Sequence, residues 1–168
     1  MNRAAAARLL AYLLAMLVAI APALAPHDPA RATTDGWREP LRKADAALTS
    51  GHPRAAQQDW EQAFRVAIQA RTPEALLDVG RAYLTIGEAV HDRSTAVGRA
   101  RRLFLMSLFR ARDRRDGLGV AAAAAAFAAL GDRELADRGF EIAIAVATRY
   151  GDEASRERIG ALRARGHG

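Results

Sequence analysis

The stretch FAALGDRELADRGFEIA, residues 127–143, decides how the whole chain reads. It sets Gly131, Ala136, Phe140 and Ala143 in an order that occurs twice upstream, as Gly51, Ala56, Trp60, Ala63 and as Gly87, Ala100, Phe104, Ser107. Glycine and aromatic residue stand 9 apart in the first and third copies and 17 apart in the second, while each aromatic residue precedes the next glycine by 27. The unit is therefore 36 residues long, with 8 extra residues inside the middle copy. Alanine richness alone would not keep a glycine and an aromatic residue in step. Self-similarity at such a period marks stacked helical hairpins.

Composition agrees. The 168 residues suffice for one domain of ordinary size behind a targeting segment. No proline follows Pro73, β-branched runs are short, and alanine, leucine, arginine and glutamate dominate, which favours an all-α chain. The periodicity predicts seven helical segments. The first runs from about Trp37 to Thr49 and the second from Arg54 to Ala70 behind Pro53. The third opens with Thr72 as cap, Pro73 in the first turn and Glu74 against the helix dipole, and closes at Ile86-Gly87. A polar insertion at 88–95 leads into a fourth helix, from Ser94 or Thr95 to Arg112. The fifth covers Leu118 to Leu130, the sixth Arg133 to Tyr150, and a polar seventh 152–165. The repeats fall at about 37–70, 73–114 and 117–150 within a domain of 33–168.

The spacing has a physical logic. Helices that approach within about 8 to 10 Å need small residues along the contact line and a large side chain to fill the space beside it. Ala56 and Trp60, Ala100 and Phe104, and Ala136 and Phe140 share one helix face at four-residue spacing. The preceding helices answer with small Ala44, Gly80 and Ala124 and larger Tyr83 and Phe127. Gly51, Gly87 and Gly131 are expected to release the chain in left-handed geometry.

These residues resemble the tetratricopeptide repeat family. The third unit, Phe127 to Ala136 followed by Phe140 and Ala143, is similar to that family's aromatic, Leu-Gly-Asp, Ala, aromatic, Ala pattern. The second resembles it through Leu76, Gly80, Tyr83, Gly87, Ala100, Phe104 and Ser107; the first is degenerate, with Lys43 and Ala47 in place of large apolar residues. The resemblance implies a right-handed α-solenoid of three helix-turn-helix repeats with a C-terminal capping helix, and binding rather than catalysis. It places a partner groove along Arg38, Leu41, Asp45 and Leu48, then Glu74, Leu77, Arg81 and Leu84, then Leu118, Ala121, Ala125 and Ala128. The subset of the family that clamps chaperone C-termini needs Lys, Asn and Arg on this surface; Leu41, Leu77 and Ala121 occupy the Lys position and no Asn stands there, so that activity is not implied. The apolar second half of the groove either receives a partner or is capped by the terminal helix around Ile159 and Leu162.

The first 32 residues read as an export signal: Arg3 and Arg8 precede the apolar run Leu9 to Ala25, which is short for a membrane span but would serve as an inner-membrane anchor if left uncleaved. Cleavage after Ala25 or Ala32 leaves a periplasmic or extracellular product. With no cysteine, that product has neither disulfide nor thiolate metal site and rests on its apolar core. The net charge of +6 falls to +4 once three arginines and one aspartate leave with residues 1–32, too modest an excess to point to nucleic acid. His27, His52, His91 and His167 include no i, i+4 pair, and Gly117-Leu118-Gly119 follows a charged turn rather than a strand, so no metal, cofactor or catalytic residue is expected. The one surface feature above background is a basic patch of Arg93, Arg99, Arg101, Arg102, Arg110, Arg112, Arg114 and Arg115, on a fourth helix whose apolar stripe is Leu103, Phe104, Leu108 and Phe109. It reads either as a solvated face paired with Asp92, Asp113 and Asp116 or as a surface for anionic lipid or an acidic glycan. The expected function is an exported adaptor that binds a protein or peptide partner in the cell envelope. The alternative is an anchored or surface-associated protein that self-associates as a homo-oligomer.

Overall fold

The computed structural model of the chain describes residues 35–151 and 153–166. The export signal expected at 1–32, with its apolar run at 9–25, lies outside the described residues. The described residues form seven helices and no strand: α1 (Arg38–Thr49), α2 (Pro53–Ala70), α3 (Pro73–Ala89), α4 (Arg93–Asp113), α5 (Gly117–Ala129), α6 (Arg133–Tyr150) and α7 (Glu153–Gly166). Links of two or three residues return each helix against its predecessor. Helices two apart also touch, in the pairs α1–α3, α3–α5, α4–α6 and α5–α7.

Four of the links share one turn. After α1, α3, α4 and α5 the chain passes through a positive φ at Gly51 (74°), His91 (58°), Arg115 (59°) and Gly131 (81°). The next residue then returns its amide to a carbonyl in the helix just ended: His52 to Ala47, Asp92 to Gly87, Asp116 to Ala111 and Asp132 to Phe127, at 2.8 to 3.0 Å. This satisfies carbonyls that a helix end otherwise leaves open. Two of the expected glycines, Gly51 and Gly131, occupy the left-handed position; Gly87 does not. It lies buried inside α3, where a β-carbon would overlap that of Ala96, and His91 makes the turn four residues later. Asp92 and Asp116 cap the following helices by accepting from the amides of Thr95 and Gly119, and Thr72 accepts from Ala75 as its sequence promised.

The displacement of the turn shows what the extra residues do. Aligned on Gly87 and Gly131, α3 runs four residues beyond the end of α5; aligned on Phe104 and Phe140, α4 starts four residues before the start of α6. The insertion expected as a polar loop at 88–95 is thus one added turn on each helix.

Beneath the turns the recurrent positions are the core. Ala56, Trp60, Ala63, Ala100, Phe104, Ser107, Ala136, Phe140 and Ala143 are all buried, and a further small residue one turn on repeats with them: Ala67, Ala111 and Ala147. A β-carbon at Gly80 would stand 2.6 Å from the Phe104 ring, and one at Gly139 would stand 2.8 Å from the Ala124 Cβ. Backbone approach at these crossings therefore depends on missing side-chain atoms. Large rings fill what remains: Phe104 meets Phe127 edge-on at 6.0 Å, and Trp60 stacks on Phe64 at 5.3 Å and lies 4.3 Å from Tyr83. Three polar side chains in or beside the core are matched across helices. Trp60 Nε1 donates to the Val79 carbonyl at 2.8 Å, Ser107 Oγ to the Pro73 carbonyl at 2.8 Å, and Trp37 Nε1 to the Asp78 carboxylate at 3.1 Å.

Phe140→Ala should remove roughly 3–5 kcal/mol of stability, read from the midpoint of a denaturant titration. His91→Gly should raise stability by about 1 kcal/mol, because glycine relieves the left-handed cost. Gly131→Ala should lower it by a similar amount.

Candidate functional site

The groove expected from the repeat pattern involves α1, α3 and α5, three helices that touch in succession. Arg38, Asp45, Glu74 and Arg81 are exposed, and Leu41, Leu48, Leu84 and Leu118 are half-buried. Leu77 and Ala121 are corrections: both are buried in the core, so neither lines an open surface. Ala125 and Ala128 are half-buried because α7 lies over them. Together with Ala129, Leu162, Arg165 and Gly166 they line an open space of about 320 Å³, and the fully buried Ile159 anchors α7 to the same core. α7 thus packs along the apolar half of the expected groove and narrows it. What stays open is the α1/α3 side, where Arg38 pairs with Asp35 at 3.7 Å and Arg81 stands 4.0 Å from Asp78.

The basic patch does not form one face. Arg93 pairs with Glu88 at 2.6 Å across the tip of the α3–α4 hairpin. Arg99 turns inward over Trp60 (4.8 Å), Tyr83 (4.9 Å) and Phe64 (5.8 Å) and donates to the Tyr83 hydroxyl at 3.2 Å. Arg101 makes a two-pronged bond to Asp132 in the α5–α6 turn, which raises its already high pKa and leaves Asp132 making no side-chain cap of its own. Arg112 pairs with Asp113 at 3.2 Å and covers Phe109, while Arg115 covers Tyr150 at 4.7 Å. Of the three aspartates expected as partners, Asp113 alone pairs with an arginine among the described residues; Asp92 and Asp116 are used as helix caps. The expected amphipathic stripe is also revised. Leu103, Phe104 and Leu108 are buried, whereas Phe109 is 43% exposed beside Leu105 and Met106, so α4 is apolar on two sides.

One cluster remains. Arg110, half-buried near the end of α4, faces Arg71 from the end of α2 and Arg114 just past α4. With Asp113 they line a depression of about 600 Å³. Burial first, then the charges of Arg71 and Arg114, push the Arg110 guanidinium below its ordinary pKa. Its Nη1 is closed off from solvent and has no hydrogen-bond acceptor. Arg71 was not among the expected residues. Its left-handed φ of 56° is what closes α2 at this place, and no glycine marks it in the sequence.

His52 and His91 are both exposed, and no three His, Asp or Glu side chains gather as a metal-binding group among the described residues. No helix of the described residues is long and apolar enough to cross a membrane. No protein-family model matches the chain, and no curated protein matches it.

Arg99→Met should cost about 1–2 kcal/mol through loss of the ring contacts and the Tyr83 bond. Arg102→Gln, at an exposed position with no partner among the described residues, should stay within about 0.5 kcal/mol. Parallel thermal melts compare the two.

Proposed function

We propose that the chain is an exported interaction module built of tetratricopeptide-like hairpins, and that its α1/α3 side receives a peptide or helix of an envelope partner. The observation that carries the reading is the chain of contacts α1–α3–α5–α7, in which alternate helices touch in sequence and α7 takes the next place in the row. That arrangement is what a short solenoid of three repeats and a cap requires. It is supported by the burial of the recurring alanine and aromatic positions in all three units. With α7 over Ala125 and Ala128, the surface left to a partner is Arg38, Leu41, Asp45 and Leu48 of α1 with Glu74, Arg81 and Leu84 of α3. Its leucines are half-buried and its charges are of both signs, which suits a partner segment that is itself mixed. Catalysis plays no part in this reading.

A photo-cross-linking residue placed at Asp45 or Arg81 should capture one discrete product in cells, and the same residue at exposed Glu61 on α2 should not. Equal capture from all three positions, or none from Asp45 and Arg81, would overturn the groove. Fractionation of the same cells addresses export separately: a shortened soluble product supports the signal at 1–32, and a full-length membrane product supports the anchored alternative.

A further inference from the structure

We propose that Arg71, Arg110 and Arg114 form a binding site for a phosphate-type oxyanion. The site is built by α2, α4 and the turn after α4, and it does not depend on the α1/α3 groove. Three features converge there. Three guanidinium groups line one depression, yet none has a carboxylate within 4.0 Å among the described residues. The carboxylate that does reach the depression, Asp113, is bonded by Arg112. Arg110 Nη1 is shielded from water without any acceptor. A buried donor left unmade carries its full desolvation cost, and clustering like charges adds to it. Arg71 and Arg114 are exposed at the depression and offer the donors an entering anion meets, while Arg110 beside them adds charge that no carboxylate offsets.

The plainer account is that arginines at the end of α4 offset the negative end of its helix dipole. That account suits Arg112, which is exposed and paired. It does not explain a closed-off Nη1 on Arg110, nor why Arg71 from another helix is held beside it in a left-handed conformation. The chemistry called for is a compact group with several acceptor oxygens and more than one negative charge, able to take fork-shaped donors from different directions. A phosphate monoester, free or on a lipid headgroup, has that form. A lone carboxylate leaves donors unfilled. At about 600 Å³ and open to solvent, the depression admits the phosphate together with the group that carries it.

The test is titration calorimetry of the whole chain with inorganic phosphate and with glycerol phosphate, against chloride at matched ionic strength. Flotation with phosphatidic acid vesicles, against phosphatidylcholine vesicles, is run alongside. Phosphate should bind and chloride should not, and Arg110→Gln should weaken phosphate at least tenfold. Arg114→Gln, at an exposed position that folding does not need, should weaken it several-fold. Arg102→Gln removes the same charge elsewhere on α4 and should leave affinity unchanged. Binding of the free phosphates alone identifies a soluble ligand; vesicle binding that free phosphate displaces identifies a headgroup. Either result supports the site. Equal losses from Arg102→Gln and Arg114→Gln, or no preference for phosphate over chloride with no flotation on phosphatidic acid, would overturn it. Cross-linking from Asp45 or Arg81 is unaffected by these variants, so failure here leaves the groove standing.

Discussion

Close approach of helix backbones is the constraint on which the rest depends. At each crossing a position that could have carried a side chain carries little or none: Ala56, Ala100 and Ala136 on one helix, Ala44, Gly80 and Ala124 on the helix before it. An alanine buries little apolar area, so such a core gains its cohesion from the density of atoms it brings together and not from large individual transfers. The aromatic residue four positions on is then indispensable, because helices in contact leave a wedge beside the contact line that only a large flat group fills. α5 takes this to its limit. Eight of its thirteen residues are buried, spread around the helix, and neighbours sit on α3, α4, α6 and α7 sides alike. Six consecutive alanines let one helix be approached from all round.

That same economy decides what the sequence could reveal. The helices, their order and the buried alanine and aromatic positions were legible because close packing imposes a period, and a period survives when individual residues vary. The added turn in α3 and α4 was counted but not shaped. Eight residues read as a loop when they are polar, whereas four on each helix, a little over one turn, preserve the faces that set Gly80 against Phe104. The left-handed turns at His91 and Arg115, and the end of α2 at Arg71, carried no glycine to announce them. At His91 and Arg115 the next amide's bond back into the helix just ended closes a conformation that local propensity disfavours.

The open surface was harder to read than the core, for a physical reason. A repeat pattern says which helix faces its neighbours, but a terminal element changes what is left exposed, and α7 covers Ala125 and Ala128 without belonging to the repeat. Charge was harder still. The eight arginines looked alike as letters, and only coordinates separate Arg99 on its three rings, Arg101 on Asp132 and Arg110 without an acceptor. Net charge therefore says little here about what the surface attracts.

Alanine contacts are also non-directional, and a stack held by them alone would slide and rotate. The polar bonds between helices supply the missing direction. Trp37 reaches Asp78, Trp60 reaches the Val79 carbonyl and Ser107 reaches the Pro73 carbonyl, so α1, α2 and α4 are each tied to a chosen point on α3. α4 is tied twice more, by Arg99 to Tyr83 and by Arg101 to the α5–α6 turn, which makes it the helix that fixes the second and third hairpins against each other. A long helix pinned at Arg99, Arg101 and Ser107 cannot turn its last residues to suit solvent. Arg110, one turn beyond Ser107, is held facing inward by bonds made elsewhere on the same helix, and the register that orders the stack is what presents its guanidinium to the depression.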